Sequence, residues 1–258
     1  MEINLKNKTA WVFGGSKGIG KAVAIGLANA GASVLLIARN TNSLHKTLNC
    51  LCTNQDQEHD TLSVDMSNSE SLINSLKNYR NLKNVDIVIN NSGGPPPGLA
   101  HTASIEEYSI AFSQHVLAAQ AATQMAVPEM KRKQFGRIIN IISTSVKQPI
   151  VGLGVSNTIR GAMGNWSKSL SFELGKFGIT VNNVLPGATM TDRLDDLIQK
   201  VATKKNCSPE NVAEKMKGDI PLGRFAKPEE ISFLVTFLCS KQSSYINGIN
   251  IPIDGGRT

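Results

Sequence analysis

The chain has 258 residues, of which 41% are hydrophobic and 18% are charged, so a single α/β domain with a large core accounts for its length. Its net charge of +7 favours a partner rich in phosphate or carboxylate, but the basic clusters are short and lack interleaved aromatic residues, which argues against nucleic-acid binding. The sequence has no long apolar span, no secretion signal and no metal-ligand spacing among its four cysteines, so we expect a cytoplasmic protein without a metal or a membrane anchor.

Short apolar runs alternate with longer segments of helical periodicity along the chain. The apolar runs predict seven strands, at residues 9–14, 33–38, 62–65, 85–90, 137–143, 180–185 and 249–252. The helical segments include residues 18–30, 41–52, 105–133 and 152–177. Because strands alternate with helices and are apolar on both faces, we predict a doubly wound parallel sheet, a Rossmann fold of the α/β class.

Two connections that follow strands have the composition of ligand-binding segments. Residues 91–98 contain three prolines, which stiffen a loop of the kind that forms active sites. Residues 187–226 form the longest irregular stretch and include a polar helical segment near 192–204. Since ligands of open α/β sheets bind beyond the carboxyl ends of the strands, we predict that 187–226 is the substrate lid.

The first strand leads into a glycine-rich loop that opens the first helix. Glycines let the backbone turn sharply and approach a phosphate, and the helix N-terminus offers free N–H groups and a positive dipole end. A glycine triplet alone is weak support, but its place between strand and helix favours a nucleotide site. The predicted phosphate-binding residues are Gly14, Ser16, Lys17, Gly18, Ile19 and Gly20.

The second predicted strand ends in Ala38-Arg39-Asn40. An NAD site usually has an acid at this place, where it binds the ribose 2′-hydroxyl. Arg39 instead offers a fork of donors to a 2′-phosphate, and Lys17 adds a second positive charge. We therefore predict NADP(H) as the cofactor; the alternative interpretation is that both cations are solvated surface residues.

Further segments, together with the glycine loop, resemble the short-chain dehydrogenase/reductase family over essentially the whole chain. They include Asn-Asn-Ser-Gly at 90–93, the strand 137–143 that ends in the family's catalytic serine, and the Pro-Gly turn that closes 181–187. The resemblance implies cofactor contacts from Asn40, Asp65, Met66, Asn90, Ser92, Gly93, Pro186, Gly187 and Thr189. The chain looks most like bacterial 3-oxoacyl-acyl-carrier-protein reductases, which implies a small-molecule or acyl-carrier substrate and a homodimer or homotetramer.

The resemblance breaks at the catalytic positions. Ketone-reducing members have a tyrosine thirteen residues after the catalytic serine and a lysine four further on; counted from Ser143, these steps reach Ser156 and Arg160. A fourth family position, an asparagine, aligns with His115. An aliphatic alcohol is a far weaker acid than a phenol, and arginine stays charged, so neither replacement shuttles a proton. Arg160 could still bind the nicotinamide ribose, a substrate carboxylate or an oxyanion.

Three side chains are candidate proton donors. We favour His115, because imidazole titrates near neutral pH, although it could equally be a packed helix residue. Lys147 and His101 are the others; the alternative interpretation, favoured for Lys147, is that each is a surface residue. The predicted function is an NADP-dependent oxidoreductase that reduces a carbonyl, with Ser143 and Arg160 polarising its oxygen. The alternatives are a non-catalytic NADP-binding sensor or partner subunit, and a non-redox lyase or isomerase with His115 as base.

Overall fold

The computed structural model describes residues 3–79 and 84–258. In these residues seven parallel strands form one sheet, in the order β3-β2-β1-β4-β5-β6-β7. The strands are β1 (Thr9–Phe13), β2 (Ser33–Ala38), β3 (His59–Ser63), β4 (Ile87–Asn90), β5 (Gly136–Ile141), β6 (Ile179–Pro186) and β7 (Asn250–Ile253). The predicted doubly wound Rossmann fold is confirmed.

Nine α-helices connect and cover the strands within the described ranges. They are α1 (Gly18–Asn29), α2 (Thr41–Leu48), α3 (Ser69–Asn78), α4 (Ile105–Phe112), α5 (Ala118–Lys133), α6 (Gly154–Leu174), α7 (Asp192–Lys205), α8 (Pro209–Gly218) and α9 (Pro228–Leu238). A π-helical turn, Ser113–Leu117, joins α4 to α5, and 3₁₀ turns occupy Thr144–Val146 and Gly175–Phe177. In the described part of the chain, no helix is both long and apolar enough to cross a membrane.

Alternate residues of each central strand enter two separate cores. Val12 packs with α1 and α9 on one face of the sheet, while its neighbour Phe13 packs with α3 and α5 on the other. Successive strand side chains point to opposite faces, so a strand covered on both sides must be apolar throughout. This is why β2 begins and ends where the sequence predicts.

Several predicted boundaries are wrong. β3 begins three residues before the predicted 62–65, because it is a half-exposed edge strand whose polar residues hide its pattern. The predicted helix 41–52 stops at residue 48, and the helix predicted over 105–133 is divided by the π-helical turn. The stretch 187–226, predicted to be mostly irregular, contains both α7 and α8.

A buried row of asparagines ties the carboxyl ends of the central strands together. Asn90, Asn140 and Asn183 lie side by side on β4, β5 and β6. Asn90 Nδ2 donates to Asn140 Oδ1 at 2.8 Å, and Asn140 Nδ2 donates to Asn183 Oδ1 at 2.8 Å. Asn183 Nδ2 continues the row to Ser167 Oγ on α6 and to Asn250 Oδ1 on β7. The strand ends that carry the site are thus held in one register.

Candidate active site

The glycine loop leaves backbone exposed at the N-terminus of α1. Gly14 has a φ of +61°, and a Cβ there would lie 2.6 Å from the Asn91 carbonyl oxygen. A Cβ at Gly20 would collide with the carbonyl oxygen of Gly14. Lys17 precedes the helix in an extended conformation and gives it no side-chain cap. Since the first turn's amides have no partner inside the helix, they are free for an anion, and the loop fits the pyrophosphate of a dinucleotide.

Two cations lie beyond the ends of β1 and β2, which are neighbours in the sheet. Lys17 follows β1 and Arg39 follows β2, and both side chains are exposed. Hydrogen bonds from Ser67 lower the pKa of Asp65, and the positive charge of Arg39 lowers it further, which places this acid close to the guanidinium. Asn40, predicted to contact the cofactor, caps α2 by accepting a hydrogen bond from the Ser43 amide at 2.8 Å.

Loop 91–98 and the π-helical turn meet at a buried contact. Ser92 Oγ lies 2.6 Å from Nδ1 of His115, which is only 4% exposed. Nε2 of His115 has no hydrogen-bond partner among the described residues. Single π turns inside helices often mark functional sites, because they displace a side chain from the regular helical face.

Burial lowers the pKa of His115 to about 2, and the positive charges of Arg160 and Arg193 contribute to this shift. The imidazole is therefore neutral at physiological pH. The premise that His115 titrates near neutral pH is wrong for this environment, because both desolvation and two nearby cations oppose its protonation. A neutral imidazole is a poor proton donor, but it can still orient a water molecule or a substrate group.

Ser156 and Arg160 lie one turn apart on the buried face of α6, and each is 7% exposed. Arg160 Nη1 donates to the Ile141 carbonyl at the end of β5, at 3.1 Å. Its Nε has no partner among the described residues. Burial lowers the pKa of Arg160 to about 10, with a further contribution from the charge of Arg193, so the guanidinium stays protonated at neutral pH.

A small, partly open cavity joins these groups to the nucleotide side of the site. Its volume is about 20 Å³, which is room for roughly one water molecule. His115, Arg160, Asn90, Ser92 and Met66 are among the residues that line it. Both unpartnered nitrogens, Nε2 of His115 and Nε of Arg160, thus belong to residues around one cavity.

Ser143 follows β5 directly and starts the 3₁₀ turn. Its Oγ accepts a hydrogen bond from the Ser145 amide at 3.2 Å, and the residue is partly exposed. This contact uses the oxygen as an acceptor and leaves the hydroxyl proton free to be donated. The end of β5 therefore presents a hydroxyl, with the Arg160 guanidinium held on the same strand end by Ile141.

The turn after β6 lies against the glycine loop and leads into α7. Pro186 ends β6, and the Gly187 amide donates to the Ile253 carbonyl at 3.0 Å. Thr189 is buried and donates through Oγ1 to the Gly187 carbonyl at 3.1 Å. A Cβ at Gly18 would lie 3.2 Å from Thr191 Cγ2. The turn and the phosphate loop therefore form two walls of one cleft.

The residues that the sequence predicts for the site omit Arg193, which contacts loop 91–98. Arg193, on the first turn of α7, donates from Nη1 to the Gly94 carbonyl at 3.0 Å and from Nη2 to the Pro95 carbonyl at 3.5 Å. A Cβ at Gly94 would lie 2.5 Å from Nη2, so the guanidinium packs closely on this glycine. The sequence does contain a signal for Arg193, because it is a cation shortly after the Pro-Gly turn and within the predicted lid.

Comparisons with known proteins place this arrangement in a family. A family model described as enoyl-(acyl carrier protein) reductase matches residues 14–258. The chain is 32% identical to the NADPH-dependent reductase BacG of Bacillus subtilis (strain 168), with 98% of each chain covered. It is 30% identical to the 3-oxoacyl-[acyl-carrier-protein] reductase FabG of Aquifex aeolicus (strain VF5), with 99% of each covered. The chain belongs to the short-chain dehydrogenase/reductase family.

Solved structures agree with this assignment. YwfH, an NADPH-dependent reductase involved in bacilysin biosynthesis, is 32% identical, with a TM-score of 0.91 over 97% of this chain and 98% of the other. L-Sorbose reductase from Gluconobacter frateurii, complexed with NADPH and L-sorbose, is 28% identical, with a TM-score of 0.93 over 100% and 98%. The short-chain dehydrogenase/reductase fold thus extends along the whole chain.

The chain of this short-chain dehydrogenase/reductase contains three tyrosines, whose contacts and exposure differ. Tyr79 donates to Asp60 Oδ2 at 2.6 Å beside β3, and Tyr108 donates to the Ala100 carbonyl at 3.3 Å. Tyr245 is fully exposed. Lys147 and His101, the other two proton-donor candidates, are exposed as well, and neither shares the buried contact made by His115.

Proposed function

We propose that this protein is an NADPH-dependent reductase of a carbonyl group, of the 3-oxoacyl type or another small ketone or aldehyde, with an atypical reaction centre. In this proposal Ser156 and Arg160 occupy the positions of the family's tyrosine and lysine. The observation that carries it is the buried, protonated Arg160, which is bound to the Ile141 carbonyl at the end of β5 and whose Nε is unpartnered among the described residues. Relatives named as NADPH-dependent or 3-oxoacyl reductases support the reaction class.

The described residues fit NADP at both ends of the nucleotide. Gly14, Gly18 and the first amides of α1 would hold the pyrophosphate, because only glycine leaves room at these backbone positions. Arg39, beyond β2, would bind the 2′-phosphate through its fork of donors. Pro186, Gly187 and Thr189 would border the nicotinamide, as the family's Pro-Gly turn does. Asn90 would act indirectly, because its side chain is already held in the asparagine row.

Carbonyl reduction places negative charge on the carbonyl oxygen. The carbonyl carbon accepts a hydride that NADPH supplies when bound, and the C=O π electrons move to oxygen, which takes a proton. The Ser143 hydroxyl donates a hydrogen bond to this oxygen, and the guanidinium of Arg160 stabilises its charge in a site poor in water. Such preorganised donors cost no reorganisation when the charge develops.

Water is the proton source that the geometry favours. His115 has a pKa of about 2, so it does not carry a transferable imidazolium proton at neutral pH. The cavity beside His115 and Arg160 has room for about one water molecule. We infer that His115 positions water through its unpartnered Nε2. The same low pKa argues against a lyase or isomerase that uses His115 as base.

The direct test is NADPH oxidation by the purified protein with a panel of 3-oxoacyl thioesters, ketones and aldehydes, beside NADPH binding measured by its fluorescence. Turnover that falls at least a hundredfold in Arg160→Ala supports the proposal, provided that the variant still binds NADPH and unfolds at the wild-type temperature. Tight NADPH binding without turnover on any substrate would contradict it and favour a non-catalytic NADP-binding protein. Turnover without oxidation of NADPH would favour a lyase or isomerase.

The lid and the assembly are further parts of this proposal. Residues 187–226 would close over the substrate, held shut by the Arg193 contacts with loop 91–98. Phe172, on α6, is 77% exposed, and Phe112 and Leu117 are exposed beside α5. Large exposed apolar side chains on α6, at the end of α4 and in the π-helical turn favour a homodimer or homotetramer built on these faces. Light scattering that shows a monomer at micromolar concentration would contradict this assembly.

A further inference from the structure

Two arginines from different elements converge on the candidate active site without an acidic partner. Arg160 projects from α6, and Arg193 reaches in from the first turn of α7. Arg193 binds loop 91–98 at the Gly94 and Pro95 carbonyls, and Ser92 of the same loop contacts His115. Ser92 and His115 line one cavity with Arg160, and both arginine charges contribute to the lowered pKa of His115. The ion pairs formed by the described residues include neither arginine.

Other arginines of the chain have hydrogen-bond or ion-pair partners for their guanidinium groups. Arg132 and Arg224 each pair with a glutamate, at 2.6 Å and 2.7 Å. Arg137 is buried as deeply as Arg160, but its donors bind the carbonyl oxygens of Ser240, Gly136 and Gly178. Arg160 has one carbonyl partner and an unpartnered Nε, so its hydrogen-bonding capacity is not used up by the fold.

Arg160 is buried whereas Arg193 is exposed, so the charge that is costly without a counter-ion is that of Arg160. Proteins retain such a buried charge where an anion binds. Guanidinium groups match the planar carboxylate, to which they donate two parallel hydrogen bonds. The position of Arg193 indicates that the anion belongs to the substrate and not to the cofactor. Arg193 lies on the predicted lid and against the proline-rich loop, whereas the phosphate loop is at α1 and the cations for a 2′-phosphate are beyond β1 and β2.

We propose that the substrate is an oxo acid, whose carboxylate lies close enough to the reacting carbonyl for Arg160 and Arg193 to bind it together. This inference rests on the proposed reductase function and names its substrate class. Arg160 would bind the carboxylate from the buried face of α6, and Arg193 would bind it from the lid. Because Arg193 already holds α7 to loop 91–98, the carboxylate would bind where the lid meets this loop.

The test compares 2-oxo and 3-oxo acids with their methyl esters, which keep the carbonyl but lose the charge. We expect kcat/KM to be at least tenfold higher for an acid than for its ester. Arg193→Gln is expected to raise KM for the acid about ten- to hundredfold, the size expected for a lost charge-assisted pair, with the ester unchanged and partial recovery in Arg193→Lys. Arg132→Gln, which removes a surface arginine, is the matched control and leaves both unchanged.

Several outcomes would overturn the inference while leaving the reductase function intact. These are equal turnover of acid and ester, preference for a phosphorylated ketone over every oxo acid, and loss of NADPH affinity in Arg193→Gln without a change in KM for the acid. A readout independent of turnover is the binding of the product hydroxy acid to the NADP-loaded protein by calorimetry, which Arg193→Gln should weaken to the same extent. If no member of the panel is reduced although NADPH binds, the proposed function itself fails.

Discussion

Nδ1 of His115 and Oγ of Ser92 are 2.6 Å apart, and His115 is only 4% exposed. The contact links the π-helical turn before α5 to the loop after β4. It also fixes the imidazole in one orientation, with Nε2 left for another group. A histidine in this setting acts as a neutral polar group, and its charge state links the site to the pH dependence of folding.

Acid should destabilise the protein through His115. Its pKa is about 2 when folded, whereas an unfolded histidine titrates near 6.5, so between these values only the unfolded chain binds the proton. Stability is therefore full above about pH 6.5 and falls as the pH decreases. At pH 4.5 we expect this residue to account for about 2–3 kcal/mol of lost stability.

Urea unfolding at pH 7.5 and pH 4.5 measures this loss. His115→Gln should reduce the pH dependence by about 2–3 kcal/mol, whereas His101→Gln, at an exposed position, should leave it unchanged. Equal pH dependence in the wild type and His115→Gln would show that the imidazole is not buried as a neutral group.

The two serines of the site should differ sharply in their contribution to turnover. Ser143→Ala removes the donor to the developing oxyanion, so kcat should fall about 10²–10³-fold with NADPH affinity unchanged. Ser156→Ala should change kcat less than about threefold, because an aliphatic hydroxyl cannot replace a phenol as acid. Steady-state kinetics with the best substrate of the panel decide this. A larger effect of Ser156→Ala than of Ser143→Ala would place the hydroxyl that matters on α6 and not on β5.

Cofactor choice should depend on Arg39. Arg39→Ser removes the fork of donors proposed for the 2′-phosphate, so NADPH affinity should fall about tenfold or more while NADH affinity changes little. Fluorescence titration with both nucleotides gives the ratio, and Arg132→Ser serves as the control for loss of a surface arginine. An equal loss for both nucleotides would instead indicate that Arg39 supports the loop and does not read the phosphate.

The sequence predicts most reliably those elements whose structure depends on local pattern. β2 is apolar along its whole length because the sheet is covered on both faces, and its predicted bounds match the structure. β3 is an edge strand with polar residues, so its pattern is weaker and its prediction was displaced. Helices α3 and α8 have side-chain caps at Asn68 and Ser208, and such residues are sequence signals for the start of a helix.

The properties of the site depend on contacts between distant parts of the chain, which no local pattern contains. The position of His115 on a long helix was predictable, but its pKa was not, because the shift arises from burial and from arginines on α6 and α7. Arg193 escaped prediction for the same reason: only the folded chain brings it to Gly94 and Pro95. The asparagine row likewise depends on the register of three strands.

The asparagine row provides a prediction about the scaffold. Asn140 is fully buried and connects Asn90 to Asn183, so Asn140→Ala leaves an amide donor and an amide acceptor without partners. Each unsatisfied buried group costs about 1–3 kcal/mol, and the deleted side chain leaves a small cavity, so we expect a loss of about 2–4 kcal/mol in urea unfolding. Asn211→Ala, at an exposed position on α8, should change stability by less than about 0.5 kcal/mol. If Asn140→Ala costs no more than Asn211→Ala, the row does not hold the strand ends in register, and the contact of Arg160 with the Ile141 carbonyl must come from the packing of α6 alone.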